Sequence, residues 1–510
     1  MKKWFTYSSV VGLAILVYGY AQTQTTPTQE SSFAPALSSP SQEHTQSLPP
    51  QTAETPGTIS APWKPVETPS IIEDVSENLP TLSFQEAWQN IQAHYPALRK
   101  QHFRLEEAIA RHDQAIAGLL PRLHGKLGWT RSDDPTKVFM SKLQQEAFTN
   151  DDFLIPNLNH PSARSDYASV LRLEIPIFDG FQTISAIRAT EHILSSRESE
   201  KRFSRMEASL LAIESYLNSA LADRLAQFSD EVLKASEADL RDAVSLKDQG
   251  FVLGADFFAG KVISAFISQM RNALAARQRI ARIYLSILQG KAIKNEYRVA
   301  AQFSSVDAPS KEMDQWIHDA LLFRSDLAAL HEAVYAQEAQ VEQEGTKILP
   351  RISAFGERAW HTQNWDRDGE NYAVGIQGTM DIFDPAYLPR IAASEAALEQ
   401  LKQDLVALKD TITQTVSEAS IQRQTYLRDL VLLEQAAKDA REAVDSAEKL
   451  YKEGRKSIAD LQEMRQMLLS AEIAFRDTQV KAELARCRLL FLSGQLDDVE
   501  VRKIAERLNP

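Results

Sequence analysis

The sequence predicts a mainly α-helical fold with a β-barrel portion, in which a strand pair and a long antiparallel coiled-coil helical hairpin occur twice. Three observations lead to this prediction. The chain repeats itself in order at a nearly constant offset. Each half contains short segments with one apolar face. Each half also contains a helical run of more than 60 residues, and a sustained heptad pattern is clearest in the second half.

The first 80 residues differ in composition from the rest of the chain. Residues 1–21 have the features of a secretory signal peptide, with two lysines, an apolar run from Val10 to Val17 and small residues before a cleavage point after Ala21. Residues 22–80 hold ten of the 21 prolines, and seven acids against one lysine. Because such a segment lacks the apolar surface that offsets the entropy of folding, we expect a disordered acidic tether rich in Pro, Ser, Thr and Gln.

An internal duplication divides the remaining chain into repeats at 81–310 and 311–495, followed by a C-terminal tail at 496–510. The offset between matching positions falls from 229 to 205 along the repeat. The first repeat therefore carries extra residues between about 131 and 166, which predict a long polar loop. The matches include Leu98, His102, Ala110, Gln114, Leu120, Pro121 and Arg122 with Leu327, His331, Ala339, Gln343, Leu349, Pro350 and Arg351, and Ile177, Phe178 and Asp179 with Ile382, Phe383 and Asp384.

Four segments alternate apolar and polar residues, which is typical of strands with one apolar face. They lie at about 122–131 and 166–177 in the first repeat, and at about 351–361 and 371–382 in the second. No stretch after the signal approaches the roughly 20 apolar residues of a transmembrane helix. If this exported chain enters a membrane, we expect it to do so as a β-barrel. The alternative is a small soluble sheet. Aromatic residues near the loop ends favour a membrane-interface girdle: Trp129, Tyr167, Trp360 and Tyr372.

Each strand pair is followed by a predicted helical hairpin. Residues 181–248 contain no proline or glycine, and the matching run in the second repeat contains only Pro389, near its start. At 1.5 Å per residue such helices are about 100 Å long. Asp179 and Asp384 are predicted N-caps, with Pro385 at the first helical position. A seam at spacings of three and four predicts coiled-coil packing: Leu398, Leu401, Leu405, Leu408, Ile412, Thr415 and Ala419, then Leu461, Met464, Leu468, Ala471, Phe475, Thr478, Ala482, Ala485, Leu489 and Leu492.

These elements require partners. Four strands cannot close a membrane barrel, since the smallest have about eight. Helices of about 100 Å cannot lie within a bilayer core about 30 Å thick, so they must stand in an aqueous compartment. Several copies closing a ring would join a short barrel to a long helical tunnel.

Three stretches resemble signature segments of TolC-type outer-membrane efflux proteins. They are Leu-Leu-Pro-Arg-Leu at 119–123, Ile-Pro-Ile-Phe-Asp-Gly at 175–180, and Tyr-Lys-Glu-Gly-Arg-Lys-Ser-Ile-Ala-Asp-Leu at 451–461. The resemblance covers about residues 81–495 in the order of that family, including its duplication.

The resemblance implies a homotrimer in outer-membrane lipid, with a twelve-stranded barrel and an α-helical tunnel in the periplasm. Shorter helices near 82–117, near 311–344 and at the C-terminal end would form a belt around the tunnel. The inner tips would contact a periplasmic adaptor protein, which links the channel to an inner-membrane pump of the RND or ABC type.

The tips of the two predicted hairpins, at about 249–256 and 453–460, each contain a glycine followed six residues later by an aspartate. Glycine adopts the left-handed backbone that ends a helix, and aspartate suits the start of the next helix. Gly250 and Gly454 are the candidate tip-turn residues for adaptor contact. For Asp256, a role as a simple turn or cap residue is an equal alternative.

The resemblance also implies aperture residues at these tips. Asp460 and Glu463 match positions at which the family places acidic rings, and three copies would favour cations. The alternative is a solvated acidic helix face. Lys456 matches a basic latch position and Asp256 an acidic partner, so the two are expected to help hold the tip closed.

We find no catalytic, metal or cofactor motif in the sequence, and we expect no enzyme. The ten histidines lack HExxH spacing, and no phosphate-binding loop or nucleophile motif occurs. Cys487 is expected to be a packed helix residue. A net charge of −13, with basic residues spread among acids, argues against a nucleic-acid partner. A periplasmic adaptor and a structural coiled-coil protein without a barrel are the alternatives, and the sequence leaves open the substrate and the choice between efflux and type I secretion.

Overall fold

The computed structural model describes residues 80–292, 297–299, 311–364 and 369–508. The predictions of a signal peptide at 1–21 and of a tether at 22–80 lie outside the described residues, except for the last residue of the tether, Pro80.

Long helices dominate the described chain, and each repeat contains one very long helix followed by a shorter one. No helix among the described residues combines the length and the apolar character needed to cross a membrane. The helices are α1 (Phe84–His94), α2 (Pro96–Ile116), α3 (Pro135–Gln144), α4 (Ile155–Asn159), α5 (Gln182–Asp248), α6 (Gly254–Leu288), α7 (Met313–Phe323), α8 (Ser325–Thr346), α9 (Tyr387–Lys452), α10 (Ile458–Leu492) and α11 (Asp498–Leu508).

In the part of the chain that the structure describes, six strands form two separate sheets. They are β1 (Thr81–Leu82), β2 (Arg122–Ser132), β3 (Arg164–Phe178), β4 (Arg298–Val299), β5 (Arg351–Thr362) and β6 (Glu370–Thr379). β1 and β4 pair in parallel, whereas the other four form an antiparallel sheet in the order β2-β3-β5-β6. Within the described chain, β2 and β6 therefore each have a neighbour on one side only.

The segments before α5 and α9 differ from the predicted caps. Asp179 accepts a hydrogen bond from Thr183 N at 2.7 Å, but α5 begins at Gln182, and the residue in the N-cap position is Phe181, with a left-handed φ of 63°. Asp384 accepts a bond from Ala386 N at 2.9 Å.

Because α9 begins at Tyr387, Pro385 precedes the helix and the prediction that it occupies the first helical position was wrong. Strand β6 ends at Thr379, three residues before the predicted end at 382. Ile382 and Phe383 follow it and are 88% and 86% exposed.

Two further predictions are corrected by packed helices. The predicted polar loop near 131–166 contains α3 and α4. The predicted tail at 496–510 contains α11, which buries Val501 and Ile504 in the main hydrophobic core. The resemblance to the TolC family had implied a helix at the C-terminal end, and α11 occupies that position.

The core lies along α5, which contacts α1, α2, α6, α8 and α10. Near its middle, the Tyr216 hydroxyl donates a hydrogen bond to Leu82 O at 3.0 Å, and the Tyr216 ring meets the Phe84 ring edge-on at 5.3 Å. In the second repeat α9 and α10 pack along the predicted seam, none of whose residues is exposed. The coiled-coil prediction is therefore confirmed.

Candidate channel wall and tunnel tip

The four-stranded sheet has one apolar face that is open to its surroundings. Side chains alternate between the faces of a strand, so residues opposite each other in register share a face. On the apolar face Leu127 and Trp129 of β2 are 77% and 61% exposed, and Val374 and Ile376 of β6 are 76% and 73% exposed. Large apolar side chains exposed together mark a surface that contacts lipid or protein.

The opposite face is polar and carries charge pairs. Arg172 of β3 donates to Glu357 of β5 at 3.2 Å and to Gln377 of β6 at 3.3 Å, so three strands are linked across this face. Nearer the loop end, His361 contacts Asp166 at 2.9 Å. A sheet with one apolar face and one charged face is the arrangement expected for a wall between lipid and a water-filled channel.

The four predicted girdle aromatics lie toward the same end of the sheet. Trp129 is opposite Tyr167 in register, with ring centroids 6.4 Å apart. The Arg358 guanidinium lies 5.6 Å from the Trp360 ring and is opposite Tyr372, which is 83% exposed.

A recess of about 900 Å³ opens where the polar face meets the helices. Arg122 and Glu174, which are paired in register, line it together with Arg111, Gln182 and Arg351. The polar surface therefore continues from the sheet onto α2 and α5.

The two hairpin tips have the same turn geometry. Gly250 and Gly454 have left-handed φ values of 83° and 70°, as predicted. One residue later, Phe251 N donates to Leu246 O at 2.9 Å, and Arg455 N donates to Leu450 O at 2.8 Å. These bonds satisfy carbonyls at the helix ends, and a positive φ at that point suits glycine because it has no Cβ.

The tips pack against each other through a small apolar cluster, in which Phe257 and Ala243 of the first hairpin meet Ile458 and Leu461 of the second. The first tip also exposes apolar side chains: Phe251 and Leu253 are 78% and 72% exposed.

The second tip carries both predicted aperture residues, Asp460 and Glu463, near the start of α10. Asp460 forms a capping box with Ser457: Ser457 N donates to Asp460 Oδ2 at 3.1 Å, and Asp460 N donates to Ser457 Oγ at 3.2 Å. Glu463, one turn later on α10, is exposed.

The predicted latch residues are not in contact within one protomer. Lys456 and Asp256 are half-buried, and no hydrogen bond or ion pair joins them across the two described tips. A latch formed by these residues therefore requires a rearrangement or a neighbouring copy.

A polar tie between the hairpins was missed by sequence reasoning. Arg465 Nε of α10 donates to Asp239 Oδ2 of α5 at 2.5 Å, and the amide of Gln462 donates to Ser236 O at 3.3 Å. Burial raises the pKa of Asp239, while the hydrogen bond from Arg465 opposes that shift. The sequence did contain a signal for this contact, because Gln462 and Arg465 directly follow the seam residues Leu461 and Met464 on α10.

The fold and the two-faced sheet define the class: a channel protein whose protomer combines membrane-type strands with long tunnel helices. The outer membrane efflux protein family matches residues 87–287 and 316–495, most of both repeats. The chain belongs to this family and is an outer-membrane channel protein whose helical portion lies in the periplasm. Members of the family and of this fold are channels rather than enzymes.

Individual relatives agree with this assignment. The chain is 27% identical over 367 residues to the alkaline protease secretion protein AprF of Pseudomonas aeruginosa, covering 66% of this chain and 72% of AprF. The CmeC outer membrane channel of Campylobacter jejuni superposes with a TM-score of 0.70 at 16% identity, covering 84% of this chain and 90% of CmeC. The open state of the MtrE outer membrane channel of Neisseria gonorrhoeae gives 0.64 at 17% identity, covering 81% and 90%.

Proposed function

We propose that three copies of this chain close a twelve-stranded barrel in the outer membrane and a helical tunnel in the periplasm, and that the assembly conducts substrates out of the cell. The observation that supports this proposal most directly is the four-stranded sheet, with opposite polar and apolar faces and open edges at β2 and β6. Twelve strands in three copies satisfy both edges of every sheet, which an isolated protomer leaves unpaired.

The transport energy is supplied by partners. The tips around Gly250 and Gly454 meet a periplasmic adaptor, which connects the channel to an inner-membrane pump. The exposed Phe251 and Leu253 offer apolar contact area there. Two cargo classes remain: the AprF relative, named for alkaline protease secretion, favours a secreted protein, and the efflux family favours small molecules. Genes next to this one that encode an ABC transporter and a secreted protein support the first, and a resistance-type pump supports the second.

The tip is the proposed point of control. Three copies of Asp460 and Glu463 form a negatively charged aperture, and Lys456 approaches Asp256 of a neighbouring protomer to help hold the tip closed. Exposed ion pairs contribute about 0 to 1 kcal/mol each, so three such contacts bias the gate without locking it.

The assembly is tested by electrophoresis of outer-membrane fractions. We expect a trimer that migrates as a compact species without heating and as a monomer after boiling, because a closed barrel resists detergent until it is heated. Recovery of the chain only as a monomer in the periplasmic extract would contradict the proposal and favour an adaptor or a structural coiled-coil protein.

A further inference from the structure

The connection between β2 and β3, residues 133–163, is folded and is called the outer loop here. It is much longer than the connection between β5 and β6, residues 363–369. Its own small core consists of the rings of Phe139, Phe148 and Phe153, which meet edge-on with successive centroids 4.9 Å apart. Lys142 and Asp152 form an ion pair across it. The outer loop is thus a defined unit at the end of the sheet opposite the tunnel helices.

The outer loop is attached to the sheet through Gln145, which is 2% exposed. Its amide nitrogen donates to Asp166 Oδ1 at 2.9 Å, and its amide oxygen accepts from Arg164 Nε at 2.6 Å. Beside it, Asn371 of β6 donates to Gln144 O at 3.3 Å.

These anchors lie on the polar face of the sheet. Asp166 contacts His361 across the strands on that face, and Asn371 shares the face by register. The backbone of Gly369 approaches Gln144 O so closely that a Cβ there would collide with it. The outer loop therefore lies over the side of the sheet that faces the channel.

The outer loop exposes more apolar surface than a unit of its size needs. Its large exposed side chains are Met140 (52%), Leu143 (46%), Phe153 (63%), Leu154 (56%) and Ile155 (72%). Apolar surface removed from water contributes about 25 cal/mol per Å², so five such side chains strongly favour a partner. In a ring of copies, units anchored on the channel side converge on the symmetry axis, and the first surface that each meets is the same unit of another copy.

We propose that the outer loops of the three protomers pack against one another through these apolar side chains and form a lid over the outer mouth of the channel. The inference rests on the proposed trimer. The lid is a second barrier, at the end of the channel opposite the tunnel tip. It is held by apolar contacts, whereas the tip is proposed to be controlled by charged groups. Outer-leaflet lipid is the competing occupant, and it would require the apolar side chains to point away from the axis.

Cysteine cross-linking in intact outer membranes tests the contact. In Ile155→Cys trimers, mild oxidation is expected to link two of the three chains. Ile376→Cys is the matched control, because Ile376 is equally exposed at 73% but lies on the apolar face of the sheet. The Ile376→Cys variant is expected to give no covalent dimer. The wild type is also expected to give none, because Cys487 is fully buried. An intact heat-modifiable Ile155→Cys trimer without a link would overturn the lid, whereas absence of any trimer would overturn the proposed assembly instead.

Access to the channel wall gives a second readout. Lys126→Cys, on the polar face of β2, is labelled on intact cells with a bulky polyethylene-glycol maleimide. Adding Leu154→Ser and Ile155→Ser is expected to raise the labelling rate about tenfold or more, because the lid loses two large apolar contacts per protomer while the aromatic core of each loop is kept. An unchanged rate in a correctly assembled trimer would contradict the lid.

Discussion

Two acidic side chains at the second tip, Asp460 and Glu463, have different surroundings although they lie three positions apart on α10. Asp460 accepts the Ser457 backbone N–H and is part of the helix start, whereas Glu463 is exposed. A capping carboxylate is held in place by its bonds, so its charge has a fixed position near the tip. Glu463 has the freedom of an ordinary surface side chain.

Reversing the charge of Lys456 tests the proposed latch. The Lys456→Glu trimer in a planar bilayer is expected to conduct several-fold more than wild type, because each protomer loses an attraction worth up to about 1 kcal/mol and gains a repulsion from nearby acids. Lys438→Glu is the control: it makes the same charge change on α9 at a lysine paired within its own helix to Glu434 at 3.2 Å. Equal conductance of Lys456→Glu and wild type would count against the latch.

At the scale of single residues, the sequence predicted the positions whose role depends only on the local backbone conformation. Gly250 and Gly454 have the predicted left-handed backbone because the turn bonds leave little alternative. The Arg465–Asp239 tie was missed because it joins residues 226 positions apart, and no local pattern indicates which polar residue meets which. Contacts that involve a second copy, such as the proposed approach of Lys456 to Asp256, are absent from any single chain by nature.

In helix α10 one side chain, that of Asp460, has two roles: it caps the start of the helix, and it is proposed to give the aperture its negative charge. The capping box satisfies two backbone N–H groups that would otherwise be unpaired, and it fixes where the helix leaves the tip. The same carboxylate is proposed to face the aperture, so a substitution can remove the charge and keep the cap.

Two substitutions of Asp460 separate these roles. Asp460→Asn keeps an acceptor for Ser457 N but removes three charges from the trimer, so we expect reduced cation selectivity with unchanged amide exchange at the start of α10. Asp460→Ala removes both, and a lost cap of about 1 kcal/mol should also speed that exchange about fivefold. The measurements are the reversal potential across a salt gradient and hydrogen exchange. A reversal potential unaffected by either substitution would contradict the acidic ring.

The elements were predicted unequally for a physical reason. Long helices with a heptad seam repeat one signal many times, so α9 and α10 were evident from the sequence. The helix α3 is only ten residues long and lies within the segment predicted to be a loop, although Asp134 caps it by accepting a hydrogen bond from Thr136 N at 2.9 Å. The same residue types begin helices and make turns, and the packing that decides between them lies outside the local sequence.

For the whole molecule, the central consequence is that one chain is structurally incomplete. Its sheet has open edges at β2 and β6, and its exposed apolar face would be costly in water. The duplication supplies the sheet from two strand pairs, each continuous with a helical hairpin, so barrel and tunnel are built from the same repeated unit. This arrangement ties the assembly of the channel to the location of its apolar face in lipid.

A lysine placed on either face of β6 tests that location. Ile376→Lys puts a charge on the apolar face in three copies, and a lysine costs about 2–4 kcal/mol per copy near the bilayer midplane, so little heat-modifiable trimer should reach the outer membrane. Ala373→Lys is the matched control: it is also exposed on β6, but on the polar face, and should assemble at wild-type levels. Quantitative electrophoresis of outer-membrane fractions measures both. Equal assembly of the two variants would mean that the apolar face does not contact lipid, and that it is covered by protein instead.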